Sequence, residues 1–226
     1  MNELLTRGIG HTEFKDSELG RIPKSWEIRK IGDVSTIMFS NVDKKTNDTE
    51  VPILLCNYMD VYNNLHIKQK IKFMKATATQ KEIDKFSLKY GDVIITKDSE
   101  TPNDIAVPAH VAQEFDRVVC GYHLALIRTD KKQLQGLFLL YLLSLDINQR
   151  YFYRLANGST RFGLTTNSIK NAELTIPPLT EQKKIAAILT SIDDQVSAAR
   201  EKLSQTQSLK KSLMQDLLTG RVRVST

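Results

Sequence analysis

The sequence predicts an α+β fold, a mixed globular domain followed by one long C-terminal coiled-coil helix. The helix is predicted because residues 180–219 contain neither glycine nor proline and carry a heptad stripe of apolar positions. The globular domain is predicted because short apolar runs alternate with turn residues between positions 19 and 176. A hydrophobic content of 41% with 26% charged residues is ordinary for a globular protein.

The long helix has start and stop signals at both ends. Thr180 follows two prolines and is the predicted N-cap, and Gly220 suits the position just after the last turn. A helix of about 40 residues is roughly 60 Å long, which is longer than one small domain can cover. We therefore expect a partner helix along the stripe, although a surface helix packed on its own domain is the alternative. The predicted dimerisation residues are Ile185, Leu189, Ile192, Val196, Ala199, Leu203, Leu213 and Leu217.

Within the globular region, apolar runs and turn residues predict the following elements in order. Strands are expected at 51–59, 93–96, 105–111, 117–128 and 172–176. A short helix is expected at 79–86, and a buried helix at 134–145 is expected to continue through 147–155. Trp26, Ile28 and Ile31 are expected to anchor a first strand or short helix on the core.

The first residues echo the end of the long helix. Residues 1–8 read MNELLTRG and residues 214–221 read MQDLLTGR, with Met, Leu, Leu and Thr at matching places. This likeness is typical of one unit of a tandem repeat, although eight residues can also match by chance. We assign residues 1–18 to a lead-in that resembles the end of a preceding repeat, 19–176 to the globular domain and 177–226 to the long helix.

The net charge and the cysteine content indicate the kind of partner and the cellular compartment to expect. The net charge of +6 and the pI of about 9.2 are compatible with a polyanionic partner. Cys56 and Cys120 lie in apolar contexts and are expected to be buried free thiols in a reducing compartment. No apolar signal core or membrane-spanning run is found, so a cytoplasmic location without membrane contact is expected.

No catalytic constellation can be found in the sequence. The glycines are scattered, the four histidines do not stand at metal-ligand spacing, and His123 is best interpreted as a half-buried structural histidine. We expect no catalytic residue, no metal and no cofactor. Three loops nevertheless carry mixed donors and acceptors that can contact phosphates and base edges, with solvated loop tips as the alternative.

The order of several phrases resembles the specificity subunit of Type I restriction–modification enzymes along essentially the whole chain. The phrases are GRIPKSWE at 20–27, GDVIIT at 91–96, GST at 158–160 and PPLTEQKKIA at 177–186. The last, followed by a long helix, is the most specific. The resemblance implies a non-catalytic subunit that reads double-stranded DNA. It also implies docking to a methyltransferase that binds S-adenosylmethionine and flips the target adenine, and in some systems a restriction nuclease.

This chain departs from the family pattern, in which two recognition domains alternate with two antiparallel long helices. With one of each, it is expected to form an antiparallel homodimer over 180–219 and to read an inverted-repeat split target. The residues expected to contact DNA are Lys44, Lys45, Asn57, Tyr58, Lys97, Ser99, Ser159, Thr160 and Arg161. Two alternatives remain open. One is a coiled-coil interaction module that does not read DNA, and the other is a detached methyltransferase fragment.

Overall fold

The structure is a computed structural model that describes residues 2–221. It confirms the α+β class with a long C-terminal helix. The helices are α1 (Asn2–Arg7), α2 (Ile31–Val34), α3 (Tyr58–Tyr62), α4 (Gln80–Phe86), α5 (Gly136–Leu143), α6 (Asp146–Leu155), α7 (Thr166–Lys170) and α8 (Leu179–Leu218).

Short strands supply most of the globular part. They are β1 (Phe14–Lys15), β2 (Ile22–Pro23), β3 (Glu27–Lys30), β4 (Ser35–Phe39), β5 (Val51–Cys56), β6 (His66–Ile67), β7 (Met74–Ala78), β8 (Val93–Thr96), β9 (Asp98–Ser99), β10 (Pro108–Val111), β11 (Val118–Cys120), β12 (Leu124–Thr129), β13 (Phe162–Gly163) and β14 (Glu173–Ile176). Pro102–Asp104 forms a 3₁₀ turn.

The main core lies between two sheets. A five-stranded sheet has the order β4-β12-β8-β10-β6, and a three-stranded sheet has the order β11-β5-β7. Ile94 and Leu124 from the first sheet and Leu55 and Val119 from the second are fully buried in one apolar cluster. Removing this apolar surface from water is the main force that holds the sheets together. The pairs β1-β2, β9-β13 and β3-β14 form three further small ladders.

Two of the predicted strands are shorter in the structure than the apolar runs that predicted them. The run 117–128 is divided into β11 and β12, which belong to different sheets, and Gly121 lies at the break. A Cβ at Gly121 would stand 2.8 Å from the carbonyl oxygen of Cys56, so only glycine allows this close approach. The run 51–59 ends at Cys56, because the backbone N–H of Asn57 bonds Asp60 Oδ2 at 2.8 Å and starts α3.

The predicted buried helix is confirmed as α5, in which seven of eight residues are buried. Its predicted continuation is wrong, since α6 is a separate helix after Ser144 and Leu145. Asn148 and Gln149 donate side-chain hydrogen bonds to the carbonyls of Leu142 and Leu143 at 2.7 and 2.6 Å, which satisfies the end of α5. The expected short helix at 79–86 is α4, with Thr79 as its N-cap.

Contact density divides the chain into two compact units. The first ends at Ala186 and the second begins at Ala187. The first unit therefore includes the lead-in, where Leu5 of α1 is fully buried, and also the first residues of α8. Trp26 and Ile31 are fully buried in it, as predicted, whereas Ile28 is half-buried on β3. Cys56 and Cys120 are buried free thiols on neighbouring strands.

The echo between the two ends of the chain has a structural counterpart. Thr6 Oγ1 donates to the Asn2 carbonyl at 2.7 Å, and Thr219 Oγ1 donates to the Gln215 carbonyl at the same distance. Gly220, which follows α8, takes a left-handed conformation with φ of 70°. Met1 and residues 222–226 lie outside the described residues.

Candidate nucleic-acid interface

A cleft of about 580 Å³ in the first unit gathers side chains from five separate chain segments. Tyr58 and Tyr62 come from α3, Ser99 from β9, and His123 from the loop between β11 and β12. Arg161 precedes β13, and Lys44 comes from the loop between β4 and β5. Such a convergence of loop and strand-end residues on a rigid scaffold is typical of a binding site.

Backbone pairing holds these segments together. Phe162 and Gly163 of β13 are paired with Ser99 and Asp98 of β9, so the loop that carries Arg161 lies against β9. The backbone N–H of Lys97 donates to the carbonyl of His123 at 3.1 Å, which holds the loop between β11 and β12 beside β9. Since Lys44 of the loop between β4 and β5 also lines the cleft, all three loops predicted from sequence contribute to one site.

The carboxylate of Asp98 is the electrostatic centre of the cleft. It lies 3.2 Å from Lys97 Nζ, 2.6 Å from His123 Nδ1 and 3.9 Å from Arg161 Nε. The histidine contact is close enough for an ion pair but lacks the alignment of a regular hydrogen bond. Burial lowers the pKa of His123, and the Asp98 carboxylate acts against this shift. One carboxylate thus positions three nitrogen-bearing side chains.

Aromatic side chains form one wall of the cleft. The rings of Tyr58 and Tyr62 are stacked with centroids 5.7 Å apart and an interplanar angle of 16°. The hydroxyl of Tyr62 donates to Asp104 Oδ1 at 3.0 Å, and that of Tyr58 approaches the Asp104 carbonyl at 3.3 Å. Burial raises the pKa of Tyr58, so its hydroxyl remains a donor at neutral pH.

The structure brings together some of the residues predicted to contact DNA and leaves others apart. Lys44, Tyr58, Ser99 and Arg161 line the cleft. Lys97 borders it through its ion pair with Asp98. The remaining predicted residues lie outside the lining, of which Lys45, Ser159 and Thr160 are exposed and Asn57 is half-buried at the start of α3.

The predicted contact residues did not include eight residues of the lining, namely Met59, Tyr62, Asp98, Glu100, Thr101, Asp104, Tyr122 and His123. The spacing of Tyr58 and Tyr62 is the i, i+4 spacing of one helix face, and this signal could have identified the aromatic wall. His123 is half-buried as expected, but it faces the cleft and is not confined to the core.

The charges of the cleft are balanced. Lys44 and Arg161 line it with the bordering Lys97, and Asp98, Glu100 and Asp104 supply three carboxylates. Within residues 2–221, no group of three or more His, Cys, Asp or Glu side chains is arranged to hold a metal ion. The cleft can therefore donate and accept hydrogen bonds at its lining while adding little net charge.

The apolar stripe of α8 has two different environments. Ile185 is fully buried within the first unit, so its side chain is covered by that unit and not presented to a second helix. Leu189 is 3% exposed, and its place in a dimer seam stays a prediction. The later stripe residues are exposed, including Ile192, Val196, Ala199, Leu203, Leu213 and Leu217.

The chain belongs to the Type I restriction modification DNA specificity domain family, whose model matches residues 23–206. It is 27% identical over 234 residues to the Type I restriction enzyme MjaVIII specificity subunit of Methanocaldococcus jannaschii, covering 99% of this chain and 53% of that protein. It is 25% identical over 214 residues to the Type I restriction enzyme EcoKI specificity subunit of Escherichia coli K12, covering 90% and 44%.

Solved structures show the same fold. One, from work on complex assembly and conformational transition of the type I R-M system, matches with a TM-score of 0.63 and 20% identity, covering 88% of this chain and 46% of that one. The HsdS subunit from Thermoanaerobacter tengcongensis matches with a TM-score of 0.58 and 20% identity, covering 91% and 46%. The chain thus spans about half the length of its relatives. In the described part of the chain, no helix has the length and apolarity needed to cross a membrane.

Proposed function

We propose that this chain is a DNA sequence-specificity subunit of a Type I restriction–modification system and performs no catalysis itself. The observation that carries the proposal is the cleft, in which side chains from five segments converge in a member of this family. The chain reads one half of a bipartite DNA target. Its relatives are named specificity subunits, and that role is extended here to this chain.

The chemistry of the cleft suits base-edge recognition. Arg161 and Lys44 can donate to guanine, Ser99 can donate or accept, and the stacked tyrosines offer flat apolar surface. Because the cations and carboxylates are balanced, the cleft contributes selectivity more than general attraction to phosphates. The positioning of Lys97, His123 and Arg161 around Asp98 reduces the entropy lost on binding.

We further propose that the chain docks a methyltransferase subunit, which supplies the cofactor and the chemistry, and in some systems a nuclease subunit. One structural relative comes from work on the assembly of a type I R-M complex, which supports this role for the fold. The chain has no need of a cofactor of its own in this arrangement.

The exposed part of the α8 stripe supports a homodimer. Ile192, Val196, Leu203, Leu213 and Leu217 are between 42% and 58% exposed and recur at the alternating spacing of a coiled-coil seam. An antiparallel pair would have two-fold symmetry and present two identical clefts. The expected target is therefore an inverted repeat with a spacer.

The experiment is a selection of duplexes from a random pool by the full chain together with its methyltransferase subunit. The proposal predicts recovery of one conserved half-site, present twice in inverted orientation. Recovery of no conserved sequence, with no salt-dependent DNA affinity, would instead favour the coiled-coil interaction module. A single asymmetric half-site would support DNA reading and contradict the symmetric dimer.

A further inference from the structure

One segment carries nearly all the net positive charge of the chain. Residues 66–90 contain seven lysines and two acidic residues, a net charge of +5, whereas the whole chain has +6. The remainder of the protein is close to neutral. A polyanionic partner would therefore be attracted mainly to this one segment.

Four of these lysines are exposed and have no ion-pair partner within the described residues. Lys68, Lys70, Lys72 and Lys75 lie in a stretch with no acidic residue, and all four are exposed. Within residues 2–221, every ion pair within 4 Å involves other residues. Their charges are thus available to an external ligand.

Apolar residues between the lysines pack on the core and hold this segment in place. Ile71 and Phe73 are partly buried and pack against the main core cluster. The ring of Phe73 also meets Phe115 edge to face, with centroids 5.6 Å apart. Because these apolar side chains anchor the segment on the core, the lysines project from an ordered surface.

The last of the four lysines, Lys75, lies on β7 at the edge of the three-stranded sheet. The neighbouring strand β5 is followed directly by the residues of the cleft wall. Met74, the first residue of β7, is paired with Leu55, and the chain passes from Leu55 through Cys56 and Asn57 to Tyr58 in the cleft wall. On the same strand, Thr77 Oγ1 accepts a hydrogen bond from the backbone N–H of Asn47 at 2.9 Å. The loop fixed in this way carries Lys44 into the cleft lining.

We infer that Lys68, Lys70, Lys72 and Lys75 form a phosphate-binding face that contacts the DNA backbone beside the cleft. The inference rests on the proposed DNA-reading function and assigns its sequence-independent part to a surface separate from the cleft. Backbone contacts position a protein on the duplex, and contacts to base edges supply specificity. An acidic protein surface is the less suitable partner, because charged residues are depleted at the centres of protein–protein interfaces.

The test measures binding of the full chain to a short random-sequence duplex as salt rises from about 50 to about 200 mM. The variant K68Q/K70Q/K72Q/K75Q removes the four charges and keeps polar side chains at these positions. A matched control, K15Q/K30Q/K131Q/K170Q, removes four charges from lysines that are equally exposed elsewhere on the first unit. Circular dichroism and thermal unfolding verify that both variants fold.

The slope of log K against log salt should fall in magnitude by about three to four units in the first variant, because each lost phosphate contact removes about 0.9. The control should change it by less than about one unit. An unchanged slope in the first variant, with wild-type binding intact, would overturn the inference and leave the proposed function standing. Absence of any salt-dependent binding by the wild-type chain would overturn both.

Discussion

Asp98 and His123 meet in the cleft, with Oδ1 of the carboxylate 2.6 Å from Nδ1 of the imidazole. Asp98 belongs to β9, whereas His123 lies between β11 and β12, so the contact joins two segments that share no ladder. Lys97 and Arg161 also approach the same carboxylate. Asp98 therefore acts as a positioning residue for the donors that we assign to DNA recognition.

Substitution of Asp98 by Asn should reduce discrimination between the selected DNA site and a scrambled duplex. The amide keeps the shape but removes the charge that positions Lys97, His123 and Arg161. We expect the ratio of the two affinities to fall by about tenfold, or about 1.4 kcal/mol, with non-specific affinity unchanged or higher. Competition binding measures this ratio. Glu100→Gln is the matched control in the same cleft, and an equal effect of both changes would argue against the positioning role.

Substitution of Arg161 by Ala should weaken binding to the selected site by about 1–3 kcal/mol and relax specificity at one base position. Arg161 is an exposed cleft donor whose Nε lies 3.9 Å from the Asp98 carboxylate, which leaves its guanidinium free to reach DNA. Titration of labelled duplexes gives the affinities, with the exposed Arg154→Ala as control. An unchanged affinity of the Arg161 variant would remove this residue from the interface.

Glu181 is expected to stabilise the first unit, although it belongs to the long helix. Its carboxylate accepts hydrogen bonds from Trp26 Nε1 at 3.0 Å and the backbone N–H of Ile9 at 3.0 Å, and it lies 2.8 Å from His11 Nε2. Glu181→Ala leaves the indole N–H of the buried Trp26 without its acceptor. We expect the free energy of unfolding to fall by about 1–3 kcal/mol, measured by urea titration with Trp fluorescence.

Glu18→Ala serves as the control for this change, because Glu18 is exposed. The control should leave the unfolding midpoint almost unchanged. Equal midpoints for the Glu181 variant and the wild type would show that this hydrogen-bond cluster contributes nothing to stability.

His110 should make the protein less stable in mild acid. Burial, with a smaller contribution from His66, lowers the pKa of His110 to about 4, against about 6.5 in the unfolded chain. The unfolded state binds more protons between these values, so stability is present above about pH 6.5 and is lost as the pH falls toward 4. Between pH 7 and pH 5 the loss from this group should be about 2 kcal/mol.

Urea unfolding at both pH values, compared with His110→Asn, checks this expectation. The variant lacks the titrating imidazole and should lose less stability on acidification than the wild type. A variant with the same pH dependence as the wild type would show that other groups dominate.

The exposed α8 stripe should control self-association. Ile192→Asp with Leu203→Asp places two charges on the stripe, and both positions are exposed in the single chain, so folding of the first unit should be unaffected. We expect sedimentation of a dimer for the wild type and of a monomer for the variant. Ser197→Asp with Lys202→Asp, on exposed positions outside the stripe, is the control. A monomeric wild type at micromolar concentration would contradict the proposed homodimer.

The long helix and the buried helix α5 could be predicted from sequence because their signals are local. An unbroken heptad pattern specifies the first, and an apolar composition on all sides specifies the second. The stripe did not reveal that Ile185 is covered by its own chain. The spacing of apolar residues identifies the apolar face of a helix, but it does not say which part of the protein packs on that face. For the same reason, a truncation that isolates the first unit should end after Ala186 and keep the first residues of α8.

The cleft was only partly predictable. The loops that carry Lys97 and Arg161 were recognised by their residue types and neighbouring phrases. Their meeting depends on the two-residue pairing of β9 with β13, which is too short to leave a pattern in the sequence. The break at Gly121 was missed because apolar residues continue on both sides, and only the close approach to Cys56 explains it.

The most direct test of the account compares two duplexes, one with both selected half-sites and one with a single half-site scrambled. Affinity is measured at physiological salt with the full chain and its methyltransferase subunit. If each of two identical clefts reads one half-site, scrambling one half-site should weaken binding by about 100-fold or more. Equal affinity for the two duplexes would contradict the recognition of two half-sites by two identical clefts.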